Sequence, residues 1–167
     1  MHLQVPLALD TDAQSAGRML ADPVYVRAKV TAGGGEVLHV DVTPGDGGAF
    51  TVTTRRSLPT DLIPPQARAF IGDRLEVRQA EAWEAAGADG GRRGTVAVEI
   101  AGAPVRLTGT VALIPDGATS RVVYDGDLKA NVPLFGALVE EAAAKAVRSA
   151  LEAEEAVARE YVRSTDA

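Results

Sequence analysis

Apolar and polar residues alternate singly at the start of the chain. Leu3, Val5, Leu7 and Leu9 keep the period of two that marks a half-buried strand. Thr11 or Asp12 then caps a short helix through Leu20, and Asp22-Pro23 opens a second over about 23–32. Aspartate suits the cap and proline the first helical turn. Gly33-Gly34-Gly35 closes that helix, because glycine takes the left-handed conformation that helix ends favour. Strand-like runs follow at about 37–43, 50–58, 75–83, 94–100, 105–114 and 121–132. Glycine-rich or Asp-Gly turns, a type that supplies positive φ angles, separate most of them. A proline-rich link with room for one helical turn, about 66–71, interrupts the series. Six strands in this order predict an antiparallel meander.

The last segment changes period. Leu134/Phe135, Leu138/Val139, Ala142/Ala143, Ala146/Val147, Ala150/Leu151, Val157/Ala158 and Tyr161/Val162 recur every three to four residues, one continuous helical stripe. Val132-Pro133 sets its start, which predicts a helix over about 133–163. About 30 helical residues span roughly 45 Å, whereas a compact domain of this size is roughly 40 Å across. The helix must therefore cross the whole molecule, and the concave face of the sheet is its only equally long partner. Its middle is small (Ala142, Ala143, Ala146, Ala150), so it either approaches the sheet closely or leaves space beside it.

Composition narrows the chemistry. The 167 residues are 46% hydrophobic and 24% charged, enough to bury one core and to fill one domain over 1–167. Only 4% are aromatic, so the core rests on aliphatic side chains. A net charge of −6, with Arg55-Arg56 and Arg92-Arg93 as isolated pairs, argues against a nucleic-acid partner, which needs clustered cations. There is no cysteine, hence no disulfide and no thiolate chemistry. Two histidines, His2 and His39, are too few for a metal cluster, and alternation places His39 on the polar face of its strand, opposite Leu38, Val40 and Val42. Gly33-Gly34-Gly35 lacks the lysine of a phosphate loop. No cofactor is expected. The N-terminus lacks the pattern of a signal peptide, and no apolar run reaches the length of a membrane span. A cytoplasmic protein without stable membrane insertion, monomer or homodimer, is the expectation.

Strand parity selects the residues that face the helix. Leu75, Val77, Gln79, Glu81 and Trp83 share one face, as do Val96, Val98 and Ile100. The next strands add Leu107 and Val111, then Tyr124 and Leu128. Gln79, Glu81 and Tyr124 are thus polar groups in an apolar concavity, where a few convergent polar groups orient a ligand. The alternative is structural: Glu81 solvated near its strand end, and Tyr124 sending its hydroxyl to water at a rim. Arg56 shares a face with Phe50, Val52 and Leu58; a register placing it opposite about Leu75 makes it a surface or rim residue. The candidate cavity residues are Gln79, Glu81, Trp83, Val98, Leu107, Val111, Tyr124 and Leu128 from the sheet. The helix contributes Leu138, Ala142 and Ala146.

The order of elements resembles the helix-grip fold of the START-like superfamily, which includes lipid-transfer domains and polyketide cyclases. Six segments resemble, more narrowly, an actinobacterial START-like family of unknown function: Leu20-Ala21-Asp22-Pro23-Val24-Tyr25-Val26, Arg55-Arg56-Ser57-Leu58-Pro59, Phe70-Ile71-Gly72-Asp73, Gln79-Ala80-Glu81-Ala82-Trp83, Gly102-Ala103-Pro104-Val105 and Val132-Pro133-Leu134-Phe135-Gly136. The resemblance implies an α+β fold, a curved sheet of about seven strands around the final helix. It also implies a hydrophobic small molecule, lipid or polyketide-like, held between them. It carries no catalytic residues. Two other functions stay open at this point: a cyclase or dehydratase using Glu81 or Tyr124, and an interaction protein without a ligand.

Overall fold

The computed structural model describes residues 1–71 and 74–166, Leu62 by its backbone alone; Gly72 and Asp73 of the Phe70–Asp73 segment lie outside the described residues. Strand β1 (His2–Leu9) leads into helices α1 (Ala13–Leu20) and α2 (Pro23–Ala32). The Asp12 side chain accepts the Ser15 amide at 2.9 Å, and Asp22 accepts that of Val24 at 2.8 Å. Each carboxylate satisfies an amide that the first helical turn leaves unpaired. Six strands follow: β2 (Glu36–Pro44), β3 (Phe50–Leu58), β4 (Leu75–Trp83), β5 (Arg92–Ala101), β6 (Val105–Asp116) and β7 (Thr119–Ala130). Two 3-10 helices, a single turn at Thr60–Leu62 and a six-residue one at Pro65–Phe70, occupy the proline-rich link. Helix α3 (Gly136–Asp166) ends the chain.

The strands form one seven-stranded antiparallel sheet in the order β1-β7-β6-β5-β4-β3-β2. The six-strand meander is present, and β1 adds to its far edge through β7. Gly109 and Gly126 face each other across β6 and β7. A Cβ on Gly109 would lie 2.1 Å from the Asp125 carbonyl oxygen, so this pair lets two backbones approach more closely than side chains permit. Helix α3 packs on β1, β7 and α2, and the inner face of the sheet surrounds it. This is the helix-grip architecture.

Two local departures from the alternation pattern have physical causes. Between Val37 and His39 the β2–β3 register slips at a bulge. Leu38, expected inside with Val40 and Val42, therefore turns outward and is exposed, while Val37 packs with Val40 and Val42 on the core. Helix α3 starts at Gly136 rather than about 133. Leu134 takes a left-handed φ of 66° and is 97% exposed, so the chain turns through it before the helix begins.

Candidate functional site

A cavity of about 140 Å³ lies between the sheet and α3. The sheet supplies apolar walls such as Val52, Val77, Val96 and Val105, and α3 supplies Ala143, Val147, Ala150 and Leu151. Gln79, Glu81, Val98, Leu107, Tyr124 and Leu128 line it, as does Ala146. Four expected positions do not. Trp83 and Val111 point inward but are buried in the packed core beyond the cavity. Leu138 is 37% exposed, and Ala142 lies off the lining surface. The helix turns its Val139, Ala143, Ala146, Val147, Ala150 side inward, one step round from the expected face.

One end of the cavity is polar. Glu81, on β4, is 1% exposed, so the sheet is not open there and the carboxylate is not solvated. It is instead saturated with donors. Gln79 Nε2 donates to Oε1 at 2.7 Å, Trp83 Nε1 to Oε2 at 3.0 Å and Tyr124 OH to Oε1 at 3.2 Å. Lys29 Nζ, from α2, stands 3.5 Å from Oε1. Gln79, Glu81 and Trp83 share a face because residues two apart along a strand do. That spacing converts Gln79 and Trp83 into local donors for Glu81. Tyr124 sends its hydroxyl inward to Glu81, not to water.

The partner of this cluster on the helix is Glu154, 6% exposed. Its Oε1 accepts from Lys29 Nζ at 3.1 Å and from Tyr25 OH at 3.0 Å. Lys29 thus bridges two carboxylates from different elements and ties α2 to both α3 and β4. Burial alone would discourage its charge, but Glu154 and Glu81 outweigh burial and hold it protonated well above the usual lysine range. Burial likewise favours a protonated Glu81. The Lys29 charge and the hydrogen bonds from Trp83, Gln79 and Tyr124 outweigh it, leaving the carboxyl below its usual range. Glu81 is consequently ionised at neutral pH, without the raised pKa that a carboxylic acid needs to give up a proton in catalysis. Burial, then the Glu154 charge, push both Tyr25 and Tyr124 well up, so neither hydroxyl ionises readily.

Arg56 is a further correction. The register sets it opposite Val77, not Leu75, and its half-buried side chain lines the cavity. Its guanidinium lies over Gly33 at the end of α2, where a Cβ would meet Nη1 at 2.1 Å. Burial lowers its pKa, opposed by the charge of Glu154. Among the described residues no group of three or more histidine, aspartate or glutamate side chains could hold a metal ion. No helix among them is long and apolar enough to cross a membrane.

Lys29, Glu154 and Tyr25 are the site residues that sequence reasoning missed, and each carried a signal. Glu154 falls within the apolar rhythm of α3, three residues after Leu151 and four before Ala158. Tyr25 and Lys29 are one helical turn apart on the α2 face that also buries Val26 and Val30. Opposite charges on two buried helical faces are a pair in search of each other.

The chain belongs to the family described as "Protein of unknown function (DUF2505)", whose model matches residues 4–162. No curated protein matches it. Among solved structures it is similar to the STAR-related lipid transfer protein of Xanthomonas axonopodis, at 15% identity and a TM-score of 0.59 over 95% of this chain and 85% of that one. It is similar to the Zhui aromatase/cyclase of Streptomyces sp. R1128, at 12% identity and a TM-score of 0.58 over 99% and 97% of the two chains. Human STARD10 aligns at 10% identity with a TM-score of 0.64, covering 99% of this chain and 66% of that one. At such identities the likeness is one of fold, START-like and helix-grip.

Proposed function

We propose that this protein binds a hydrophobic small molecule, lipid- or polyketide-like, in the cavity between its sheet and α3. On this reading it acts as a cytoplasmic carrier or sensor. One observation carries it: an apolar-walled cavity with a cluster of buried polar groups gathered at one end. Folding normally fills such space, because a void forfeits contacts. Ionised side chains are normally kept at the surface. Keeping both in one place is what orientation of an amphipathic guest requires. The fold of a lipid transfer protein and of an aromatase/cyclase supports the same reading. A cavity of about 150 Å³ accommodates benzene, so 140 Å³ matches a single ring or a short chain. A whole diacyl lipid would need α3 to move away from the sheet.

Native mass spectrometry of the protein from its own host tests the proposal. A stoichiometric small molecule that survives desalting and disappears in an Ala146→Leu variant is the expected result. A protein that carries nothing, and whose affinity for an apolar fluorescent probe is the same with and without Ala146→Leu, would sink it.

A further inference from the structure

The polar end of the cavity is not uniformly satisfied, and the mismatch describes a ligand. Glu81 is surrounded by donors, and Lys29 is engaged by both carboxylates. Two groups are left over. Glu154 uses only Oε1; its Oε2 accepts no hydrogen bond from the described residues, although the side chain is only 8% exposed and lines the cavity. Arg56 lines the same cavity, and among the described residues no carboxylate lies within 4.0 Å of it. Among the described residues, Glu154 Oε2, on a residue that lines the cavity, has no protein donor and the half-buried Arg56 guanidinium no protein acceptor, so both are free for a guest to engage in place of water.

The charges decide what that something is. Among the residues that line the cavity, Lys29, Arg56 and Arg106 balance Glu81, Asp125 and Glu154, three cations against three carboxylates, so the site is neutral as it stands. An anionic head group would satisfy Arg56 but bring a further negative charge towards Glu154. A cationic one would pair with Glu154 and face Arg56. Either adds an uncompensated charge to a confined, poorly solvated space. We propose that the cavity selects an uncharged head group that donates to Glu154 Oε2 and accepts from Arg56, joined to an apolar body about the size of one ring. A primary amide, or a hydroxyl next to a carbonyl, has that pairing. This rests on the reading of the cavity as a binding site and adds the chemistry of the guest.

Three near-isosteric probes separate the alternatives: benzamide, benzoate and toluene. Each is titrated at neutral pH into the protein while the methyl NMR signals of Val98, Leu107 and Leu128 are followed. Benzamide should bind roughly tenfold more tightly than either of the others, about one charge-assisted hydrogen bond in affinity. Arg56→Met should remove most of that advantage and leave toluene unchanged. Glu154→Gln, which removes the negative charge, should narrow the gap between benzamide and benzoate. Benzoate binding as tightly as benzamide to the unaltered protein would overturn the inference, since the site would then be an anion site. Toluene binding as tightly as benzamide would overturn it too, while leaving the cavity as a hydrophobic pocket. If none of the three perturbs those methyl groups, the cavity reading fails along with it.

Discussion

The protein has two hydrophobic clusters made of different materials. One, around α1, α2 and the end of α3, buries Tyr25, Phe50 and Trp83. Phe50 stacks on Trp83 with ring centres 6.1 Å apart, and Tyr25 meets Tyr161 edge-on at 5.6 Å. The other, around the first half of α3, buries only aliphatic residues, from Leu3 and Ile63 to Val139 and Ala144. The cavity borders mainly on the second: Leu3, Val96, Val105, Leu107 and Leu128 face it, against Val30 and Val52 of the first. Tyr25, Phe50, Trp83 and Tyr161 pack in or on the first cluster, whereas Tyr124 lines the cavity and Phe135 packs against the second. Between the two clusters sits the Lys29–Glu81–Glu154 network.

The sharpest way to break this division is to remove its ionic seam. Lys29→Met leaves Glu81 and Glu154 buried without their cation, and stability should fall by about 3–5 kcal/mol in urea titration. A loss below about 1 kcal/mol would show that the seam is wet and the clusters act independently.

Next come parallel truncations in the two clusters. Trp83→Ala should cost about 3–5 kcal/mol, because it hollows a packed region and removes a donor from Glu81. Leu107→Ala should fall at the low end of its class, about 2 kcal/mol, since that side chain already faces a void. It should also admit larger probes, read as a gain in affinity for a longer-chain guest. Equal costs would mean that the clusters are equally tight.

Filling gives a smaller effect of opposite sign. Ala146→Leu should raise stability by about 0.5–2 kcal/mol by occupying the cavity, and should eliminate probe binding. Destabilisation instead would mean that α3 already touches the sheet there.

The smallest effect is a pH dependence. Because folding lowers the Glu81 pKa, its contribution is complete above the ordinary value of 4.5 and is lost as pH falls below it. Lys29, Tyr25 and Tyr124 have raised values, so their contributions persist at neutral pH and fade on the alkaline side. Chemical denaturation across the acid range should show a shallower slope for Glu81→Gln than for the unaltered protein. Identical slopes would assign the acid sensitivity to surface carboxylates.

Much of this architecture was legible in the residues. Strands and helices announced themselves through period, because one face of each had to be buried, and β3 and β4 fall where alternation places them. Inner-face parity also pointed to Gln79, Glu81 and Tyr124. The misses are cases where a neighbour overrides local pattern. The bulge that expels Leu38 depends on register with β3, and the turn at Leu134 on where α3 docks. Glu154 and Lys29 are 125 residues apart, and neither segment alone shows that the other answers its charge. The rotation of α3 that excludes Leu138 and Ala142 is likewise set by packing on β1, β7 and α2, which a helical stripe of broad width does not specify.

The bulge in β2 has a consequence for how the molecules behave in a crowd. β2 is an outer strand of an open sheet, and its run from Val37 to Thr43 is rich in residues that favour strand pairing. A straight strand of that kind would template the addition of another chain and begin aggregation. The slip at Leu38 breaks the regular spacing of backbone donors and acceptors, and Pro44 ends the strand with a residue that has no amide hydrogen to offer. One misplaced leucine thus helps keep each copy of the protein from becoming a seed for the next.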